Sequence, residues 1–194
     1  MRLGVFGGSF DPPHNGHLAL CLLAREQLGL DRLLISISKN PFKSSADASD
    51  SHRKEMAGLL ACEINSTGDF ATVSDWELQR PGPSYTIDLL RHLRQESGNP
   101  ELVLLVGEDS YREMPGWNSS DAIPGLCSIA VFSRHAAFSG KDPLAGILPP
   151  ARFLDFDMPV SATEVRELMK NGQSAARLLP PSIAAYIDAN GLYR

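Results

Sequence analysis

The chain has few cysteines and no pattern that would pair them. Cys21, Cys62 and Cys127 are its three cysteines, and they lie far apart without a CxxC spacing. An odd number of widely separated cysteines is not the framework of a disulfide-stapled secreted domain. The sequence therefore predicts three reduced cysteines in the core of a cytoplasmic protein.

A basic excess and a long apolar run are also missing. The 18 Lys and Arg residues are outnumbered by 23 Asp and Glu residues, which gives a net charge of −5. Nucleic-acid-binding proteins usually carry a basic excess, so this balance argues against a nucleic-acid partner. The apolar runs are much shorter than the roughly 20 residues of a membrane-spanning helix. No charged leader with a cleavage site precedes the first strand pattern, so we predict neither membrane association nor export.

What the chain does contain is a regular alternation of two patterns. Short β-rich apolar runs occupy 3–6, 33–37, 70–73, 102–106, 128–132 and 153–156. Helical patterns begin near His14 and occupy 52–64, 84–95 (with Ser84 as the N-cap), 161–171 and 181–190. This alternation predicts an α/β fold, a doubly wound (Rossmann-like) parallel sheet with helices on both faces and two C-terminal helices. The 194 residues suit a single domain, 1–194.

The most informative motif joins the first strand to the first helix. Gly7 and Gly8 follow the strand, two prolines precede the helix, and His14 and His17 stand three residues apart in its first turn. Glycines let a backbone approach a bulky anion, and free N–H groups at a helix start point toward it. A site that holds the phosphates of a nucleotide fits this arrangement best. The alternatives are a purely structural turn, or a zinc site for which a third ligand at a sensible spacing is lacking.

Two further segments also predict a helix start at which an anion could bind. Ser161 to Arg166 predicts a capped helix start, with Glu164 as the partner of Ser161 in a capping box and Arg166 one turn into the helix. Pro81 to Thr86 predicts a turn into another helix start. In a parallel sheet, ligands bind beyond the carboxyl ends of the strands, so 7–17, 39–43, 107–109 and 133–134 should converge on one crevice.

The segment from Gly7 to His17 resembles the GxFDPxHxGH signature of the nucleotidyltransferase superfamily with an HxGH motif. Pro81 to Thr86 resembles the GPSYT segment of bacterial nicotinate-nucleotide adenylyltransferases, and Glu77, Leu78 and Arg80 match the run before it. Ser161 to Arg166 is similar to the SSTxxR element, with Ala162 in place of the second Ser. Phe42 stands where a His is usual, and His135-Ala136 replaces a Pro-Gly after Arg134.

This resemblance implies a role for each matching residue. It implies that His14, His17 and Arg166 are catalytic. It implies ATP binding by Gly7, Gly8, Ser9, Phe10, Gly107, Asp109, Arg134, Ser161 and Thr163. It implies binding of the acceptor nucleotide by Lys43, Ser84, Tyr85, Thr86 and Trp117, and no protein-bound metal.

The reaction implied is transfer of AMP from ATP to nicotinate mononucleotide in NAD biosynthesis, with Mg²⁺ carried by ATP. The partners are then these two small molecules, and nothing in the sequence specifies an oligomeric state. The same motifs fit an enzyme that uses nicotinamide mononucleotide, phosphopantetheine or glycerol 3-phosphate as its acceptor, although the last two match Pro81 to Thr86 less well. A nucleotide-binding sensor without catalytic activity and a zinc hydrolase remain as alternatives of other classes.

Overall fold

Six parallel strands form the centre of the computed structural model, which describes residues 1–39, 46–96, 98–133 and 146–194. The strands are β1 (Arg2–Gly8), β2 (Arg32–Ile37), β3 (Ala71–Ser74), β4 (Glu101–Gly107), β5 (Ser128–Ser133) and β6 (Arg152–Asp155). They lie in the order β3-β2-β1-β4-β5-β6, and each neighbouring pair is parallel. The predicted doubly wound sheet is confirmed.

Helices follow the strands along the chain. They are α1 (Asn15–Leu28), α2 (Asp50–Ile64), α3 (Trp76–Gln79), α4 (Thr86–Glu96), α5 (Glu108–Glu113), α6 (Ala162–Lys170) and α7 (Pro181–Asn190). Short 3-10 turns occupy Asn65–Thr67, Met114–Gly116, Ser120–Gly125 and Ala176–Leu178. Local residues set the ends of α1: His14 precedes it in an extended conformation, and Gly29 ends it at a φ of 58°. A left-handed residue at this point is the usual helix stop, and glycine adopts it without strain.

Both faces of the sheet are buried, which explains the nearly continuous aliphatic runs in the strands. Alternate residues of β4 point to opposite sides: Val103 and Leu105 join one core cluster, and Leu102, Leu104 and Val106 join the other. The first cluster packs the sheet against α1, α2, α6 and α7, and the second packs it against α4 and α5. The strand order reverses between β1 and β4, so a crevice opens at the carboxyl ends of these two strands.

The structure corrects three details of the prediction. Helix α4 begins at Thr86, so Ser84 lies before it and is not its N-cap. The short helices α3 and α5 follow strands at places where we predicted no helix. Cys21 and Cys127 are buried as predicted, whereas Cys62 is exposed, and all three are free thiols. Cys62 lies on α2, whose core-facing positions are taken by residues such as Met56 and Leu60.

Within the described ranges, no helix combines the length and the apolar character needed to cross a membrane.

Candidate active site

A cavity of about 860 Å³ opens at the carboxyl ends of β1 and β4. Its volume is that of a small-molecule site, and its position is the one that the reversal of strand order predicts. Most of the predicted site residues line it, namely Gly7, Gly8, Ser9, His14, His17, Ser84, Tyr85, Thr86, Gly107, Asp109, Trp117 and Ser161. Segments far apart in the sequence thus converge as expected.

The remaining predicted residues lie elsewhere. Phe10, Thr163 and Arg166 are outside the cavity lining. Lys43 and Arg134, together with Phe42, fall outside the described residues. The structure therefore gives a position for every predicted catalytic residue but places Arg166 beside the cavity rather than in its wall.

His14 and His17 form a stacked pair at the start of α1. Their ring centroids are 3.7 Å apart, and the backbone N–H of His14 donates to Nδ1 of His17 at 3.1 Å. Because Nδ1 of His17 accepts this bond, the proton of its neutral ring is on Nε2. Burial lowers the pKa of His14 to about 4, so His14 is neutral at pH 7. Two neutral imidazoles therefore stand at the cavity wall, and a neutral ring can donate a hydrogen bond without carrying a charge.

Gly16 and Phe10 lie next to the two histidine rings. A Cβ on Gly16 would lie 2.8 Å from Val160 Cγ1 and 3.0 Å from His14 Nδ1, so the ring can take its place only beside a glycine. The Phe10 side chain is 1% exposed, and its ring centroid lies 5.3 Å from that of His17. Phe10 also has a φ of 49°, a conformation that non-glycine residues adopt rarely. Its ring thus supports the histidine pair instead of facing the cavity.

The start of α6 forms a second wall. Ser161 Oγ accepts from the backbone N–H of Glu164 at 3.1 Å, which confirms the Ser161 cap. The return bond from Ser161 N–H to the Glu164 side chain, predicted for a capping box, is absent among the described contacts. Arg166 Nε lies 2.9 Å from Asp47 Oδ2, and its Nη1 donates to the carbonyl of Asp11 at 2.7 Å. In this structure the guanidinium is therefore held by Asp11 and Asp47.

Asp11 is a contact centre that the sequence analysis missed. Its side chain is 4% exposed, and its carboxylate accepts from the backbone N–H of Asp47 at 2.7 Å and of Ala48 at 3.0 Å. Tyr193 Oη also donates to Asp11 Oδ1 at 2.7 Å. The sequence around Asp11 gives no signal of this role, because the partners of its carboxylate, Asp47, Ala48 and Tyr193, are distant in sequence.

The cavity lining also includes the start of α4 and the segment after α5. Ser84 is 3% exposed and lies in the wall with Tyr85 and Thr86, close to the start of α4. Trp117 follows the 3-10 turn Met114–Gly116 and also lines the cavity. An indole and a helix start in the lining of one cavity suit a flat ring that bears an anionic group.

The end of β4 completes the site. Gly107 has an extended backbone and precedes α5, so Asp109 lies in the first turn of that helix. Glu108 contacts the Ser133 hydroxyl at the end of β5, and Arg112 lies 3.1 Å from the Glu108 carboxylate. Asp109 has a carboxylate that can accept hydrogen bonds from ribose hydroxyls or an amine.

The cytidylyltransferase-like family matches residues 5–168. The chain is 56% identical to the probable nicotinate-nucleotide adenylyltransferase of Chlorobaculum parvum over 194 residues, covering 100% of each chain. It is 58% identical over 193 residues to the protein of the same name from Chlorobaculum tepidum, covering 100% of this chain and 99% of the relative.

The fold is similar to that of the Plasmodium falciparum nicotinic acid mononucleotide adenylyltransferase complexed with NaAD. The TM-score is 0.78 at 16% identity, with 99% of this chain and 97% of the other covered. At this identity the likeness shows the fold alone.

Proposed function

The chain belongs to the cytidylyltransferase-like family and, within it, to the nicotinate-nucleotide adenylyltransferases, and we propose that it transfers the adenylyl group of ATP to nicotinate mononucleotide. The products are nicotinate adenine dinucleotide and pyrophosphate. The observation that supports this most is the single cavity lined by the histidine pair, the start of α6, the end of β4 and the segment Ser84–Thr86 with Trp117. Residues 1–194 act as one nucleotidyltransferase domain in the cytoplasm.

The acceptor's own phosphate is the nucleophile in this reaction. It is already an anion, so no general base is needed, and catalysis depends on alignment and charge stabilisation. His17 presents an Nε2–H donor because its Nδ1 accepts from the His14 backbone. His14 and His17 contact the α-phosphate of ATP, where negative charge builds as pyrophosphate leaves.

The outer phosphates of ATP lie against the start of α6 in this proposal. Ser161 and Thr163 offer hydroxyls, and the N–H groups of the first turn favour an anion. Arg166 contacts the phosphates after exchanging Asp47 for a phosphate oxygen, since Asp47 holds its Nε in this structure. ATP enters as its magnesium complex, with the cation held by the triphosphate oxygens rather than by a cage of side chains.

The adenosine lies against the strand ends. Gly7 and Gly8 at the end of β1, with Ser9 and Phe10 after them, are the proposed backbone contacts of the nucleotide, and Phe10 acts through its backbone because its ring is buried. Gly107 allows close approach, and Asp109 accepts from the ribose or the amine. Arg134 is a proposed further partner of ATP, on the resemblance alone.

The acceptor lies at the other end of the cavity. Ser84, Tyr85 and Thr86 bring hydroxyls and the N–H groups at the start of α4 to the carboxylate of nicotinate, and Trp117 stacks on its electron-poor ring. Lys43 is the proposed partner of the mononucleotide phosphate.

Product analysis tests the proposal. The purified protein is incubated with ATP, magnesium and nicotinate mononucleotide, and the nucleotides are separated and identified. We expect equal amounts of nicotinate adenine dinucleotide and pyrophosphate. Adenylyl transfer only to the amide or only to phosphopantetheine would overturn the acceptor, and ATP binding without turnover on any of these would overturn the enzyme proposal.

A further inference from the structure

Arg166, one turn into α6, is held by contacts within the protein. Its Nε lies 2.9 Å from Asp47 Oδ2, and its Nη1 donates to the backbone carbonyl of Asp11 at 2.7 Å. Its Nη2 lies 3.5 Å from Thr163 Oγ1. Because Nε carries a single N–H, the edge of the guanidinium formed by Nε and Nη2 is closed to a phosphate while Asp47 is in place.

Asp47 contacts two cations, one at each carboxylate oxygen. Oδ2 meets Arg166, and Oδ1 accepts from Lys170 Nζ at 2.7 Å. Lys170 lies one helical turn after Arg166 on the same helix. The hydrogen bond from Lys170, and to a smaller degree the charge of Arg166, lowers the pKa of Asp47 although burial acts the other way, so the carboxylate is ionised at pH 7. Asp47 can therefore lose Arg166 and still keep a cationic partner.

The backbone of Asp47 is also fixed. The buried carboxylate of Asp11 accepts from the N–H groups of Asp47 at 2.7 Å and of Ala48 at 3.0 Å. The Asp47 and Arg166 side chains are 35% and 21% exposed, so water screens their attraction in part. Such a pair holds the guanidinium in one place, yet it is weak enough for a triphosphate to displace.

We propose that Asp47 is a positioning residue that sets the affinity for ATP by competing with its outer phosphates for Arg166. Before ATP binds, Asp47 holds the guanidinium, and Lys170 weakens this hold by sharing the carboxylate. When ATP binds, Arg166 exchanges Asp47 for a phosphate oxygen, and Asp47 stays paired with Lys170. The apparent affinity is reduced by the fraction of molecules in which Arg166 is still held. The role rests on the proposed function, in which Arg166 contacts the outer phosphates.

The test measures the Kd of the magnesium complex of ATP by titration calorimetry, without an acceptor, at an ionic strength of about 0.15 M, where distant charges are screened. Asp47→Asn keeps the size of the side chain but removes its charge, so we expect Kd to fall about fivefold, the scale of a partly exposed ion pair. Lys170→Met leaves Asp47 with Arg166 alone, so Kd should rise about threefold. A merely structural role would raise Kd in both variants.

The double variant distinguishes this exchange from simple attraction or repulsion of ATP. Once Asp47 is replaced by asparagine, Lys170 no longer influences Arg166, so adding Lys170→Met should leave Kd unchanged. If Lys170 attracted ATP directly, its replacement would raise Kd in that background as well. The effects of the two substitutions are therefore coupled in the proposal and additive in the alternative.

A matched control lies at the other end of the sheet. Arg32 Nη1 and Asp69 Oδ2 are 2.7 Å apart, and Arg32 is the first residue of β2, whereas the cavity is at the carboxyl ends of the strands. Asp69→Asn makes the same change in this ion pair and should leave Kd unchanged. Circular dichroism checks the folding of every variant. If Asp47→Asn does not fold, Lys170→Met decides, and an unchanged or lower Kd overturns the role of Asp47.

The outcomes separate the two proposals. A wild-type protein that binds ATP but transfers the adenylyl group to no acceptor overturns the proposed function, and the Kd values still decide the role of Asp47. In an active wild-type enzyme, a Kd that is unchanged or raised by Asp47→Asn overturns the role of Asp47 alone. An effect of Lys170→Met that persists in the double variant also overturns it. A wild-type protein that binds no ATP overturns both.

Discussion

The hydroxyl of Tyr193 donates to Asp11 Oδ1 at 2.7 Å, although 182 positions separate the two residues. Both side chains are buried, and burial is the main cause that raises the pKa of Tyr193, followed by its bond to Asp11. Asp11 in turn fixes the backbone at Asp47 and Ala48 and offers its carbonyl to Arg166. The last turn of the chain thus supports the loop that leads into the histidine pair.

Loss of this hydroxyl should destabilise the protein. We expect Tyr193→Phe to lower the free energy of unfolding by about 1.5–3 kcal/mol, the range for hydrogen bonds to charged groups. Urea unfolding measures the change. Tyr186→Phe is the matched control: its hydroxyl meets His52 Nδ1 at 2.8 Å in a half-buried setting, so its loss should be below about 1 kcal/mol. Equal losses in the two variants would contradict the special role of the Asp11 contact.

Removal of the His17 ring should affect turnover more than folding. His17→Ala deletes a ring that lines the cavity and, in the proposal, one hydrogen-bond donor to the α-phosphate. Loss of one such donor lowers kcat by about a hundredfold or more. Steady-state pyrophosphate release gives kcat, and circular dichroism checks that the variant is folded. A folded variant with the wild-type kcat would refute the contact to the α-phosphate.

His14 should make stability depend on pH. Burial lowers its pKa from 6.5 to about 4, so the folded state favours the neutral ring and the unfolded state takes up the proton first. The contribution of His14 to stability is therefore complete above about pH 6.5 and is lost as the pH falls toward 4. The loss is at most about 3 kcal/mol. In urea unfolding between pH 7.5 and 4.5, His14→Asn should show a shallower decline than the wild type, and an identical decline would contradict the assignment.

Gly16 should not tolerate a side chain. Its Cβ would press on Val160 and on the His14 ring, so we expect Gly16→Ala to cost about 1–3 kcal/mol of stability and to lower kcat by displacing His14. Gly58, inside α2, has no atom within 4 Å of a built Cβ. Gly58→Ala should therefore stabilise the protein by about 0.5–1 kcal/mol through helix propensity. Thermal unfolding and pyrophosphate release measure both variants, and a harmless Gly16→Ala would contradict the tight packing.

The sheet could be predicted well because its signals are local. Each strand is an aliphatic run, such as Leu102 to Val106, and each turn is marked by residues such as Gly7 or Gly107. Parallel strands then bring their carboxyl ends together, so the meeting of His14, Gly107 and Ser133 at one cavity followed from topology. Ser84 and Ser161 were expected there only because of the resemblance.

What could not be predicted depends on contacts between distant residues. Ser84 has the sequence signature of an N-cap, yet α4 begins two residues later and the buried Ser84 hydroxyl has no hydrogen-bond partner among the described residues. Arg166 lies one helical turn after Ser161 as expected, but Asp47 and Asp11 determine where its guanidinium points. Local propensity cannot specify such partners, because each depends on the completed tertiary structure.

The central claim is that the adenylyl group is transferred to the acidic acceptor, nicotinate mononucleotide. The most direct measurement compares kcat/KM for pyrophosphate release with nicotinate mononucleotide and with its amide, at saturating ATP and magnesium. The account predicts a clear preference for the acid, by at least about tenfold, because the start of α4 favours a carboxylate. Equal use of the two acceptors, or a preference for the amide, would contradict it.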